Sequence, residues 1–164
     1  TFLRSIGIAQ IMMQCGLPVA AESYESGIFP SFFTHFTRRE DSEMNSGRLN
    51  EELKRMSQIV DHLEGDSLLL LNESFASTTE KEGSAIAYDI IRALTESGVK
   101  ILTVTHLLSF AQRIYEESGA DPHSKVAFLS AQRMEDGRRT YKMIPHAPEL
   151  TSFGLDLYDE ILAR

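Results

Sequence analysis

Clustered basic residues, paired cysteines and long apolar stretches are all missing from this chain of 164 residues. Lys and Arg number 16 against 24 Asp and Glu, a formal net charge of −8. Surfaces that grip duplex DNA neutralise phosphates with grouped Lys and Arg. Here Arg38-Arg39 and Arg138-Arg139 are short pairs beside acidic residues, so direct DNA binding by this acidic segment is not expected. The single cysteine, Cys15, excludes a disulfide within the chain. It lies in an apolar run and is expected to be a buried thiol rather than a nucleophile. Such cysteine usage suits the cytoplasm. The apolar opening from Phe2 to Gly16 contains Arg4, Gln10 and Gln14. It is too short to span a bilayer, and no signal-peptide cleavage pattern follows, so no membrane association is expected. Internal repeats, low-complexity segments and linkers are also lacking. So is an initiator Met: the chain starts in mid-pattern and reads as a piece of something longer.

What is present is an ordinary globular mix, 42% hydrophobic and 24% charged, long enough for one domain with a real core. Phe2, Leu3, Ile6, Ala9, Met12 and Met13 fall at helical spacing. Ile8 and Ile11 widen the apolar surface, which predicts a buried helix stopped by Gly16 and Pro18. Ile28–Phe36, rich in aromatics and Thr, predicts a strand, and Pro30 places it at an edge or a bulge. Arg38–Gly47 is polar and reads as a loop. Leu49, Leu53, Met56, Val60 and Leu63 then recur as the narrow apolar seam of an amphipathic helix ending at Gly65. The run Ser67–Leu71 is flanked by Gly65 and the polar Ser74–Thr79, which leaves too little room for a helix. A fully buried central strand fits better.

Thr79-Glu80-Lys81-Glu82 has capping-box spacing and opens a helix whose inner face is Ala87, Ile90, Ile91 and Leu94, closed by Gly98. Val99–Thr105 predicts a second buried strand, and a helix follows from Leu107 to about Glu117. Lys125–Met134 and Arg138–Ile144 predict a hairpin around Asp136-Gly137. Leu155–Leu162 predicts a terminal helix. This order indicates an α/β fold in which the two apolar strands are parallel and joined by a right-handed crossover. The first helix should have a strand upstream of it.

Three places could carry chemistry. Asn72-Glu73 ends the Leu run, and in open α/β sheets ligands bind at the carboxyl ends of strands. Nucleotide hydrolases put an acid pair there: one holds Mg²⁺ through water, the other orients the attacking water. Val104-Thr105-His106, about thirty residues on, ends the next apolar strand. A His there can touch a terminal phosphate. Asn45-Ser46-Gly47-Arg48 opens a helix, where exposed amides favour an anion. Each has a plainer alternative: a polar turn, a His at a helix start, an ordinary cap.

Together these pieces resemble the MutS-family ATPase domain, a branch of the ABC-type, P-loop NTPase-like fold, in a divergent MutS-related member. Thr1-Phe2-Leu3-Arg4-Ser5-Ile6 looks like the residues just after the family's Gly-Lys-Ser phosphate (Walker A) loop. Gln10 and Leu17–Glu22 resemble the stretch beyond it. Ser46-Gly47-Arg48 is similar to the signature loop, and Asn72-Glu73 to the Asp-Glu Walker B pair. Ser77-Thr78-Thr79 with Glu82-Gly83 and Ala85-Ile86-Ala87 is similar to the Thr-Ser-Thr loop and the helix after it. Thr105-His106 is similar to the Thr-His switch. The resemblance covers Thr1 to Ile114.

The resemblance implies ATP and Mg²⁺ as cofactors, bound between two ATPase domains of a homodimer. Glu73 and His106 would be catalytic, with Asn72 the weak, water-mediated metal contact. Thr1, Ser77, Thr78, Ser46, Gly47 and Arg48 would bind nucleotide, the last three in the partner's site. Hydrolysis would signal to DNA-clamping domains elsewhere in the parent. Two departures stand out: the phosphate loop is absent, and Asn72 replaces an Asp, keeping an acceptor oxygen without the charge. Ser74-Phe75-Ala76 also replaces the usual Gly and Arg. A slow or divergent ATPase follows, active only in the parent. The rivals are another ABC-type motor, for which Arg48 in place of a second Gly is unfavourable, and a degenerate dimerisation module without turnover.

Overall fold

The computed structural model describes residues 1–36, 47–121, 123–134, 138–149, 158 and 161–162. They fall in two compact units, Thr1–Leu107 and Leu108–Arg164. The first runs α1 (Phe2–Gln14), β1 (Phe32–Phe36), α2 (Arg48–Val60), β2 (Leu68–Asn72), α3 (Glu80–Glu96) and β3 (Lys100–Val104).

Its three strands form one parallel sheet in the order β1-β2-β3. The mixed α/β class, the central place of the Leu run and the parallel pairing across α3 agree with the sequence reading. Leu68 is 3% exposed and Leu69, Leu70 and Leu71 are 0%. Each such side chain contributes about 1.5–3 kcal/mol on burial. β1 starts at Phe32 rather than Ile28, just after Pro30, and it lies at one side of the sheet. β3 lies at the other and is only partly buried, with Lys100 and Thr103 exposed, not the fully buried strand expected. A flanking strand has one neighbour where β2 has two.

Alternation along the strands assigns the helices to opposite faces. Leu3 of α1 clusters with Leu68 and Leu70. A Cβ at Gly7 would lie 3.1 Å from both Leu70 and Phe32, so a glycine lets α1 sit close. His35, one position out of phase with Phe32 and Phe36, reaches α2 instead.

Two helix expectations need correction. α1 buries only Leu3, Gly7 and Gln10, while Ile8 and Ile11 are 60% and 50% exposed. Cys15, expected to be buried, is exposed as well. The helix meets the sheet along one stripe, so its remaining apolar faces find no cover among the described residues. α2 ends at Val60 rather than at Gly65 and is rotated from its apparent seam. Glu52 and Met56 are buried, while Leu53 and Val60 are 36% and 44% exposed. Glu52 takes the inner place because its carboxylate finds a backbone donor there.

α3 starts as predicted, with Glu82 N donating to Thr79 Oγ1 at 3.4 Å. Its buried face is Gly83, Ser84, Ala87, Tyr88 and Leu94, with Ile90 and Ile91 half-buried. Left-handed glycines follow two of the helices, Gly16 (φ 69°) and Gly98 (φ 86°).

The second unit holds α4 (Leu108–Ala120) and the antiparallel pair β4 (Leu129–Arg133) and β5 (Arg139–Pro145), with a register shift between Ala131 and Arg133. Tyr115 of α4 meets Phe128 edge to face, ring centroids 5.2 Å apart. The hairpin is therefore present, while its predicted turn at Asp136-Gly137 lies outside the described residues. Of the predicted terminal helix, Tyr158, Ile161 and Leu162 are helical and the others lie outside. Among the described residues no helix is long and apolar enough to cross a membrane.

Candidate functional site

Asn72 pairs with Phe36 on one side and Val104 on the other, so three strands end level. Past that edge Glu73 N donates to Val104 O at 2.8 Å, which draws the chain toward β3. Glu73 then turns left-handed, φ 54°. Its carboxylate Oε2 accepts from His106 Nδ1 and, at 3.3 Å, from the His106 backbone N–H. A carboxylate has no hydrogen to give, so His106 Nδ1 carries the hydrogen of this contact. The His106 side chain is 64% exposed and that of Glu73 34%. Thr105 Oγ1 accepts from Leu107 N at 3.0 Å, shaping the exit from β3.

The start of α1 reaches the same edge. Arg4 lies over the Phe36 ring, 5.7 Å from its centroid, and Phe36 is the strand partner of Asn72. Thr1 is the N-cap of this helix and makes no side-chain cap bond. Helix starts present amide N–H groups and favour anions. Ser77 and Thr78 lie between the Glu73 turn and α3. Thr78 Oγ1 donates to Glu82 Oε2 at 2.5 Å, and its hydroxyl, then that of Thr79, lowers the Glu82 pKa. Ser77 Oγ is buried and has no hydrogen-bond partner among the described residues. Gly47 is the N-cap of α2, with Arg48 its first residue, whereas Ser46 lies outside the described residues. Thus Asn72, Glu73 and His106 meet at one edge of the sheet.

The turn after Glu73 holds what the sequence reading missed. Phe75 is 0% exposed at φ 65°. A bulky residue there costs of order 1–3 kcal/mol, so neighbours must enforce it. Its N–H donates to Glu52 Oε2 at 2.7 Å, and its ring stacks on His35 with centroids 5.7 Å apart. His35 is 1% exposed. Its Nε2 lies 3.1 Å from Glu52 O and its Nδ1 2.7 Å from Ser74 Oγ. A carbonyl oxygen only accepts, so Nε2 carries the hydrogen and Nδ1 of the neutral ring is left as an acceptor facing Ser74 Oγ. Ser74 Oγ also lies 3.1 Å from His35 O, so its one hydrogen has two acceptors to choose between. The only hint in the sequence is a His inside the Phe-rich β1.

Gly83 permits the packing of α3 on this turn, since a Cβ there would meet Phe75 O at 2.5 Å.

The sequence profile of MutS domain V matches residues 1–160. The chain belongs to the MutS domain V family. Domain V is the ATPase domain of MutS-type proteins, in keeping with the resemblance drawn above. Among similar proteins, the Endonuclease MutS2 of Streptococcus sanguinis is 31% identical over 105 residues, 63% of this chain and 14% of its own length. That of Thermotoga neapolitana is 30% identical over 106 residues, 64% of this chain and 14% of its own. That of Geobacillus kaustophilus is 28% identical over 147 residues, 89% of this chain and 18% of its own. The chain thus spans less than a fifth of these MutS2 relatives.

Proposed function

We propose that this domain V chain is the part after the phosphate loop of an ATP-hydrolysing, ABC-type P-loop domain in a longer MutS-related DNA-repair protein. Glu73 polarises the attacking water and His106 reads the terminal phosphate. Thr1, Asn72, Ser77 and Thr78 line the nucleotide in cis. Ser46, Gly47 and Arg48 close over the nucleotide of a second copy, and turnover drives DNA clamping by other domains. One observation carries this reading: two residues 33 apart in sequence, Glu73 and His106, meet at the carboxyl edge of a parallel sheet.

The donor set suits the metal's habits. Among the described residues there is no group of three or more His, Cys, Asp or Glu that could cage an ion. Mg²⁺ typically takes its ligands from phosphates, waters and one or two protein oxygens. The Asn72 amide oxygen can accept from a metal-bound water, with less attraction than a carboxylate. When bound, the ion would neutralise charge on the phosphates.

In the longer protein, Glu73→Gln should lower ATP turnover by about 10²–10⁴-fold while nucleotide binding persists. Turnover unchanged in the variant would remove Glu73 from the chemistry. The neutral Asn72 favours a second reading, a dimerisation module without turnover. ATP-dependent dimerisation of a wild-type protein that hydrolyses nothing would decide for it.

A further inference from the structure

We propose that Glu52 and His35 are positioning residues for hydrolysis, holding the turn that carries Glu73 and fastening it to α2. This rests on the reading of Glu73 as the water-polarising group.

The turn is clamped from two sides. Glu73 itself is tied toward β3, by its N–H to Val104 O and its carboxylate to His106. Ser74 and Phe75 are tied the other way, to β1 and α2. Glu52 Oε2 takes the Phe75 N–H, Ser74 Oγ meets His35 Nδ1, and the His35 ring stacks on Phe75. His35 Nε2 closes the circuit on the carbonyl of Glu52, and Arg55 Nη2, one turn along, donates to Phe36 O at 2.9 Å. The circuit joins three elements, β1, α2 and the turn after β2.

An apolar side chain could fill the place of Glu52 and spare the desolvation of a carboxylate. What it could not do is accept the Phe75 N–H. Glu73 and Phe75 both sit at positive φ, a conformation their side chains do not favour. With that N–H released, the turn is free to relax and the Glu73 carboxylate shifts relative to His106. A misplacement of about 1 Å at a reacting group costs on the order of 10²-fold in rate. Substrate contacts that do not involve the turn are untouched. The effect therefore belongs in kcat and not in KM.

The test is steady-state ATP hydrolysis by the longer protein, with melting temperatures recorded in parallel. Glu52→Ala should lower kcat by about tenfold or more with KM for ATP unchanged, and Ser74→Ala should lower it by about threefold. Glu52→Gln, whose amide oxygen still accepts from Phe75, should stay close to wild type. Wild-type kcat in Glu52→Ala, or equal losses in Glu52→Ala and Glu52→Gln, would overturn the proposal. If Glu52→Ala does not fold, Ser74→Ala decides: an unchanged kcat overturns it, a lower kcat at unchanged KM and melting temperature supports it. Glu73→Gln is the control. Activity equal to wild type in that variant sinks the hydrolase reading and this inference with it. A dead Glu73→Gln beside a fully active Glu52→Ala sinks this inference alone.

Discussion

His35 is kept neutral by its surroundings. Burial first, then the positive charge of Arg55, brings its pKa down from 6.5 to about 4. Unfolded, the ring takes up a proton near pH 6.5; folded, it does so only near 4. Stability from the neutral ring is whole above pH 6.5, falls as the pH drops, and stops falling below 4. At pH 5 the loss should be about 2 kcal/mol. Urea unfolding near neutrality and at about pH 5 measures it. His35→Gln should lack this part of the pH dependence, and parallel slopes in the two proteins would contradict the assignment. Gly83 is the second residue with a sharp requirement. An alanine methyl would collide with the Phe75 carbonyl, which is backbone and cannot swing aside. Gly83→Ala should destabilise the fold by about 1–3 kcal/mol despite the better helix propensity of alanine. A variant as stable as wild type in denaturant unfolding would show that α3 can slide off the turn.

At the scale of the element, signals that are local in the sequence were legible. Leu68–Leu71 announces a central strand, Thr79 and Glu82 announce a helix start, and the ends of β2 and β3 announce where Glu73 and His106 meet. What was not legible depends on partners distant in sequence. Leu53 looks like an inner residue of α2 and Glu52 an outer one. The order is reversed because the Phe75 N–H, 23 residues on, waits for a carboxylate. Likewise Cys15 and Ile11 look buried by composition, but only one stripe of α1 meets the sheet. The cap allows a check by element: Thr79→Ala should cost about 1 kcal/mol, read as a lower urea midpoint. A midpoint equal to wild type would mean that Thr79 holds α3 no better than water does.

At the scale of the whole chain, Glu73 and His106 stand at a sheet edge in a sequence that holds no Gly-Lys-Ser loop of the kind that cradles β- and γ-phosphates. This chain alone should therefore bind ATP weakly or not at all. Titration calorimetry giving a micromolar Kd would contradict that expectation. One feature of the sheet also bears on how the chain acquires its shape. Both pairings run through β2, and β1 precedes it by a long stretch that includes all of α2. Among the described strands, β1 meets its partner only once α2 and β2 have followed it, whereas β2, α3 and β3 are consecutive in the chain. Contact locality then favours β2 with α3 and β3 as the earlier pairing among these elements, with β1 joining across the longer loop.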